Sequence, residues 1–186
     1  LEFRRVLFRS ERIDLFQQMV KACLCRMQKA SIDPLLKVIK KPLHPGQALV
    51  ACEILGDVVL YLPVEDKEEA EKIEEFCLRQ LKGTPDYRGE LFKVLGKIAH
   101  APSSIVEMSD KIADYLMEHL CKTGCPYEIL ESLGWAASGK HTSEKTKMDI
   151  CYIFMALMNQ KLPDRLLEEK KDIHGGKIFQ FNLKTT

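Results

Sequence analysis

The residues best suited to chemistry lie in one short segment, His119-Leu-Cys121-Lys-Thr-Gly-Cys125, and His141 is expected nearby across a helical connection. Histidine nitrogens and cysteine thiolates are the ligands that zinc prefers, and a structural zinc site takes four of them. A single Cys-x-x-x-Cys pair with one adjacent histidine lacks the second ligand pair of such sites. We therefore interpret these cysteines as thiols at a helix end, keep zinc binding as the weaker alternative, and expect neither a metal nor another cofactor.

The sequence carries no known signature of catalysis. It contains no Gly-x-Ser-x-Gly nucleophile motif, no His-Glu-x-x-His zinc motif, no phosphate-binding loop and no glycine pattern of dinucleotide-binding domains. An active site would need a nucleophile beside a base, or paired carboxylates in a cleft. The sequence thus predicts a protein that is not an enzyme. An enzyme domain whose active site lies outside this stretch of chain is the alternative.

Composition is typical of an intracellular globular protein. Of the 186 residues 46% are hydrophobic and 30% charged, and the formal charge is only +1 because 28 basic residues face 27 acidic ones. Most of the seven cysteines lie in apolar stretches, as buried thiols of a reducing compartment do; these are Cys23, Cys52, Cys77, Cys121 and Cys151. No apolar run approaches the roughly 20 residues of a membrane-spanning helix, and no secretory signal is visible. We expect a protein of the cytoplasm or nucleus without a membrane partner.

Two groups of lysines keep nucleic-acid binding open as the alternative to protein binding. The groups are Lys37, Lys40 and Lys41, and Lys140, Lys145 and Lys147. A phosphate track needs basic residues along a continuous surface, often with interleaved aromatic residues. Neither group is dense enough by itself, so nucleic acid is the less favoured partner. Clustering of both groups on one face would be its structural sign.

Apolar residues at spacings of three and four predict about eight α-helices with short connections. The first is expected from Glu11 to Ala30. The second is expected to be capped within Ser31-Ile-Asp33, to carry Pro34 in its first turn and to end at Lys40.

Prolines and capping residues predict where later helices begin. Pro45, Pro85 and Pro126 each introduce a helix. Ser104 and Glu107 are spaced as a capping box for another. Thr142 or Ser143 is expected to cap the last long helix.

A short phrase occurs three times near the end of a predicted helix and indicates an internal repeat. It reads Glu53-Ile-Leu-Gly-Asp57, Lys93-Val-Leu-Gly-Lys97 and Glu131-Ser-Leu-Gly-Trp135, so its glycines fall at 56, 96 and 134. Their separations of 40 and 38 residues approach the roughly 40 to 47 residues of armadillo and HEAT repeats. A glycine inside a helix costs about 1 kcal/mol relative to alanine. We therefore expect Gly56, Gly96 and Gly134 to lie at tight helix crossings.

The phrase resembles the last helix of an armadillo repeat, in which a Leu-Gly or Leu-Ser pair precedes Asn. The resemblance covers about residues 33–160 and implies an all-α fold, a right-handed α-α superhelix of about four helix pairs. Peptide-binding members of that family have Asn after the pair and often Trp three residues before its second member. Here the Asn position holds Asp57, Lys97 and Trp135, and the Trp position holds Glu53, Lys93 and Glu131. The peptide-clamping ladder of that family is therefore missing.

These six residues are the candidate partner-binding residues, because they recur at equivalent places of the repeat. Trp135 is either core filling, which we favour, or an exposed anchor for a partner. A fold alone does not dictate a function. The predicted function is a non-catalytic scaffold for protein–protein interaction, formed by a segment of a larger intracellular helical-repeat protein.

The chain is expected to divide into three segments. Residues 1–10 end in Arg5-Val-Leu-Phe-Arg-Ser10, which resembles the translation of a common sequencing adaptor, so we interpret them as a non-native leader. Residues 11–162 are predicted to form one helical-repeat domain, and residues 163–186 a charged, loosely ordered tail. Within it, Ile178-Phe-Gln-Phe181 is a loose tail, a short strand or the start of a helix, with the first favoured.

Overall fold

The structure, a computed structural model, describes residues 18–83, 85–120, 122–123, 126–158, 167–171 and 177–181. Eight α-helices form the packed body of this part of the chain, which confirms the all-α prediction and the expected number. They are α1 (18–27), α2 (Lys29–Lys40), α3 (Pro45–Leu60), α4 (Lys67–Leu81), α5 (Arg88–His100), α6 (Val106–His119), α7 (Pro126–Ser138) and α8 (Glu144–Met158). A short 3-10 helix, Val64–Asp66, leads into α4. The leader of residues 1–10 lies outside the described residues.

Helices α3, α5 and α7, which carry the repeated phrase, pack side by side: α3 contacts α5, and α5 contacts α7. We call these three helices the row. Helix α2 packs against α3, α4 against α5, α6 against both α5 and α7, and α8 against α7. The leucines of the phrase, Leu55, Leu95 and Leu133, are all fully buried. Because burying one leucine contributes about 1.5 to 3 kcal/mol, the phrase supplies the core in each of its copies.

Several helix starts lie where the sequence predicted them. Pro45 and Pro126 are the first residues of α3 and α7, where a missing amide hydrogen costs nothing. Ser143 caps α8, since its hydroxyl oxygen accepts the backbone N–H of Thr146 at 3.3 Å. Thr142 is not the cap, because its hydroxyl donates to the carbonyl oxygen of Ala136 at 2.6 Å.

The boundary between α1 and α2 differs from the prediction. The helical path breaks at Gln28, whose positive φ of 44° is rare for a residue with a side chain, and α2 restarts at Lys29. Ser31 is fully buried, and its hydroxyl donates to the carbonyl oxygen of Gln28 at 2.7 Å, so it does not act as the predicted cap. Pro34 consequently lies inside the helix and removes one backbone donor from it.

The predicted capping box before α6 is also wrong. Helix α6 begins at Val106 after Ile105, and no side chain caps it. The hydroxyl of Ser104 is instead buried and lies 2.8 Å from that of Ser109. Ser109 donates in turn to the carbonyl oxygen of Ala99 at 3.0 Å, which ties the start of α6 to the end of α5. Burial of both serines makes this internal pairing necessary.

The cysteines are less uniformly buried than predicted. Cys52 and Cys77 are buried, whereas Cys23 and Cys151 are exposed because they lie on outward faces of α1 and α8. All of these are free thiols. Cys121 lies outside the described residues.

A short hairpin follows the helical body. Leu167–Lys171 (β1) pairs antiparallel with Lys177–Phe181 (β2), and the register places Leu167 opposite Phe181. Of the three alternatives for residues 178–181, the structure has the strand. The rest of segment 163–186 lies outside the described residues.

No helix in the described ranges combines the length and the apolar character that crossing a membrane requires.

Candidate functional site

Lysines and carboxylates of α1, α3 and α5 form a chain of ion pairs. Lys21 Nζ on α1 lies 2.8 Å from Glu53 Oε1 and 2.6 Å from Asp57 Oδ2, both on α3. Asp57 Oδ1 lies 2.5 Å from Lys97 Nζ on α5. Three neighbouring helices are thus connected through a single carboxylate.

The same alternation of charge continues from α5 to α7. Lys93 Nζ lies 3.6 Å from Glu131 Oε2 on α7 and 3.1 Å from Glu90 Oε1 on its own helix. The structure thus brings five of the six predicted partner-binding residues into ion pairs between adjacent helices. We call these five residues and Lys21 the charge ladder. Its sign changes at every step, from basic α1 through acidic α3 and basic α5 to acidic α7.

Asp57 and Lys97 are the most enclosed pair of the charge ladder, with 21% and 14% of their side chains exposed. Burial acts to raise the pKa of Asp57, but hydrogen bonds from Lys21 and Lys97 outweigh it and hold that pKa below its ordinary value of 3.8. Burial likewise acts to lower the pKa of Lys21, and its hydrogen bonds to Asp57 and Glu53 raise it above the usual value. These groups stay ionised at neutral pH and contribute to the register of the helices.

The three glycines of the phrase have different surroundings. A Cβ on Gly96 would lie 2.5 Å from Ser132 Cα, so α5 and α7 approach each other at backbone distance. A Cβ on Gly56 would lie 3.0 Å from the flexible Lys97 side chain, and one on Gly134 would meet nothing within 4 Å. The predicted tight crossing is confirmed at Gly96 and weaker at Gly56. It is wrong at Gly134, because no described helix follows α7 in the row.

Trp135, the sixth predicted residue, is half-buried at the end of α7. Its ring meets the ring of His100 on α5 edge-on, with centroids 5.1 Å apart. The Ser138 hydroxyl lies 3.2 Å from His100 Nδ1 and donates to the Trp135 carbonyl oxygen at 2.9 Å. One side of the indole therefore packs against α5, while the other faces a hollow.

Two adjoining hollows open where the helices of the row end. The first has a volume of about 730 Å³ and lies between α1 and the end of α3. The second has a volume of about 430 Å³ and spans the ends of α3, α5 and α7. Leu60 and Tyr61 line both, so we call the combined depression the Tyr61 groove. Its other prominent lining residues are Lys21, Cys25, Arg26, Asp57, Val64, His100, Trp135, Lys140 and His141.

The Tyr61 groove combines exposed apolar surface with uncompensated positive charge. Tyr61 and Val64 are 62% and 64% exposed, although both are large apolar side chains. Asp57 is neutralised within the charge ladder. Arg26 and Lys140 form no ion pair with an acidic side chain of the described ranges. The groove therefore favours a ligand that offers apolar groups and negative charge.

The sequence did not single out this groove, although it contained a usable signal. Tyr61, Ala101 and Gly139 each follow a glycine of the phrase by the same number of residues, so the helix ends had to lie side by side once the row formed. Only the packing shows that the connections beyond these ends leave a depression, because connection shape does not follow from helical periodicity.

Cys25 lines this groove and carries a potentially nucleophilic thiol, but its environment does not activate that thiol. Burial raises the pKa of its thiol, and the negative charge of Asp57 raises it further. A reactive cysteine needs the opposite, a lowered pKa that yields thiolate at neutral pH.

The histidine and cysteine segment forms no recognisable metal site in the described part. His119 stacks on Tyr115, with ring centroids 4.1 Å apart, and its Nδ1 lies 2.8 Å from the Tyr115 carbonyl oxygen. His141 lines the Tyr61 groove instead. Cys121 and Cys125 lie outside the described residues, and the described residues contain no group of three or more histidine, cysteine or acidic side chains placed to hold a metal ion.

In comparisons with known proteins, no protein-family model, no curated protein and no solved structure matches the chain.

Proposed function

We propose that this chain is a non-catalytic protein-interaction segment of an armadillo- or HEAT-like helical array, and that the Tyr61 groove binds an acidic segment of another protein of the cytoplasm or nucleus. The supporting observation is the row. Its helices pack in sequence through equivalent positions, and their aligned ends form one continuous, largely apolar depression with a cationic rim. Arrays of stacked helix pairs bind partners along such surfaces.

The lining of the groove specifies the chemistry of the bound segment. Tyr61, Val64 and the open side of Trp135 offer apolar and aromatic contacts, which are the usual anchors of interface energy. Arg26 and Lys140 lie at the rim, where they would attract carboxylates and accelerate encounter. The fitting ligand is therefore an extended segment that alternates apolar side chains with Asp or Glu.

In this proposal the charge ladder has a structural role. Its basic and acidic side chains are directed at each other across helix boundaries, so their charges are largely satisfied without a partner. Of the six residues predicted from the sequence, Asp57 and Trp135 line the groove, and Trp135 is the aromatic one. The binding role of all six stays a prediction.

The nucleic-acid alternative finds less support in the positions of the lysines. Lys37 and Lys40 lie on α2, which packs against α3, whereas Lys145 and Lys147 lie on α8, which packs against α7. Helix α5 separates α3 from α7 in the row, so these two lysine pairs lie towards opposite ends of it, while Lys140 lines the Tyr61 groove beside the end of α3. A continuous phosphate track would require them on one surface.

The proposal is tested by selecting peptides that bind the 186-residue chain from a library of random 12-residue peptides. We expect selected peptides to be acidic with apolar or aromatic anchors. Tyr61→Ser should weaken the binding of such a peptide at least tenfold, because loss of an interfacial aromatic anchor typically costs more than about 1.4 kcal/mol. Lys140→Glu should also weaken peptide binding, and the loss should be larger at low salt than at high salt because salt screens the charge.

Tyr127→Ser is the matched control, since Tyr127 is also an exposed tyrosine, 83% accessible, but does not line the groove. Equal affinities of the wild type and Tyr61→Ser, or a selection without acidic preference, would contradict the groove as the binding site. Tight binding of random nucleic acid with steep salt dependence would favour the alternative.

A further inference from the structure

Helix α7 is the last member of the row in the described part of the chain, and no described helix packs against the face of α7 that carries Gly134. The clearest sign is Gly134. Its equivalents Gly56 and Gly96 each lie against the following helix, whereas nothing lies within 4 Å of a Cβ at Gly134.

The residues on either side of the glycine show the same contrast. On α3, Cys52 and Val59 flank Gly56 on one helical face, and both are fully buried. On α5 the equivalent residues Phe92 and Ala99 are also buried. On α7 the equivalents Leu130 and Ala137 are only half-buried, and Tyr127, one turn before Leu130, is 83% exposed. Tyr127, Leu130, Gly134 and Ala137 thus form an apolar stripe, which we call the end face.

We infer that the end face docks an amphipathic α-helix of the type of α5, with small and apolar residues in contact with Gly134 and a lysine or arginine opposite Glu131. This inference goes beyond the peptide groove and rests on the packing of the row rather than on the Tyr61 groove.

Two observations specify this occupant. The first is continuity, because the end face repeats in register the surface of α3 on which α5 packs and the surface of α5 on which α7 packs. The second is charge. The charge ladder changes sign at each step and ends on acidic α7, where Glu131 is 51% exposed and meets Lys93 only at 3.6 Å. A following helix that continues the alternation must be basic at this position.

The chain itself supplies the probe, because α5 is the helix that packs on the equivalent face of α3. We would use a peptide of residues 86–101 with its ends blocked and a side-chain staple on the solvent face to hold it helical. Binding to the 186-residue chain would be measured by fluorescence anisotropy of the labelled peptide. We expect saturable binding of one peptide per chain.

Three variants of the chain locate the site. Gly134→Leu should abolish binding, and it should leave the melting temperature of the free chain unchanged or higher because the position is open. Glu131→Lys should weaken binding at least tenfold, and a peptide with Lys93→Glu and Lys97→Glu should restore it. Tyr61→Ser is the control, and it should bind the α5 peptide like the wild type.

The contrary results are equally distinct. Absence of binding, or binding unaffected by Gly134→Leu, would overturn the inference. Binding that appears only after removal of residues 159–186 would assign the end face to the tail of this chain, and concentration-dependent self-association lost in Gly134→Leu would assign it to a second copy. Loss of binding in Tyr61→Ser alone would show that the peptide occupies the groove, so failure here and failure of the proposed function are separable.

Discussion

Gly96→Ala should lower the stability of the chain and Gly134→Ala should raise it, although the two glycines occupy equivalent positions of the repeated phrase. Both glycines lie at the same position of helices that are 13 residues long. Replacement of a helical glycine by alanine stabilises a helix by about 1 kcal/mol, and this contribution is common to both variants. The difference between the variants therefore isolates the packing of the added methyl group.

The structure gives the size of that difference. At Gly134 the methyl group enters open space, so we expect a gain of about 0.5 to 1 kcal/mol in the free energy of unfolding. At Gly96 it would lie 2.5 Å from Ser132 Cα and 2.7 Å from the Ser132 carbonyl oxygen, so α5 and α7 must move apart. Overpacking of this kind costs about 1 to 3 kcal/mol. Gly96→Ala should thus be less stable than Gly134→Ala by about 1 to 3 kcal/mol.

Urea unfolding followed by circular dichroism at 222 nm measures both variants against the wild type. Gly56→Ala provides an intermediate case, because its methyl group would meet only the flexible end of Lys97. Equal free energies of unfolding for Gly96→Ala and Gly134→Ala would refute the packing of α5 on α7 and the open end of the row.

Three further predictions concern charged side chains, and each is measured by urea or thermal unfolding of the variant and the wild type. Lys111→Ala should cost up to about 1 kcal/mol, because its ammonium group lies 2.8 Å from the buried Glu74 carboxylate but its side chain is 62% exposed. Glu74→Leu should instead be neutral or stabilising, because it removes the buried charge itself; equal losses would contradict this pairing. Because the pKa of Asp57 is lowered in the folded chain, its contribution is present at neutral pH and is lost as the pH falls below the ordinary value of 3.8. Asp57→Asn should therefore lose stability at pH 7 and show a flatter acid limb than the wild type, and an unchanged acid limb would count against the ladder. Burial, with repulsion from Asp110 and Asp149, raises the pKa of Asp114, so its charge opposes folding at neutral pH. Asp114→Asn should raise stability by less than about 0.5 kcal/mol at pH 7, with no gain near pH 3, and destabilisation at pH 7 would contradict that sign.

Much of the helical framework follows from local sequence. Pro45, Pro126 and Ser143 act at helix starts through their own backbone geometry and side chains, so they can be recognised without tertiary information. The buried leucines of the phrase follow equally from helical periodicity.

The errors lie where tertiary contacts overrode local preference. Ser31 and Ser104 are good capping residues by type, but both are buried, and their hydroxyls bond to the Gln28 carbonyl oxygen and to the Ser109 hydroxyl instead of capping a helix. The helix break occurs at Gln28, where no glycine or proline indicates it in the sequence. The Gln28 side-chain amide donates to the carbonyl oxygen of Tyr61, far away in sequence, at 3.2 Å. Long-range contacts of this kind cannot be read from neighbouring residues.

The candidate site was predicted in part. Recurrence identified the positions that meet across the row, but it did not show that five of them carry opposite charges directed at each other. That pairing depends on the helix register, which places Asp57 opposite Lys97 and Lys93 opposite Glu131. The Tyr61 groove depends on connections between helices, for which the sequence offers no periodic signal.

Trp135 offers the most direct test of the proposed groove, because it is the only tryptophan of the chain and lines the groove. Titration of the chain with a selected acidic peptide that lacks tryptophan should shift the Trp135 emission to shorter wavelength, with saturation at one peptide per chain, since the peptide excludes water from the indole. The Tyr61→Ser variant should require at least tenfold more peptide for the same shift. Tight binding of such a peptide with unchanged Trp135 emission would place it elsewhere and contradict the central claim.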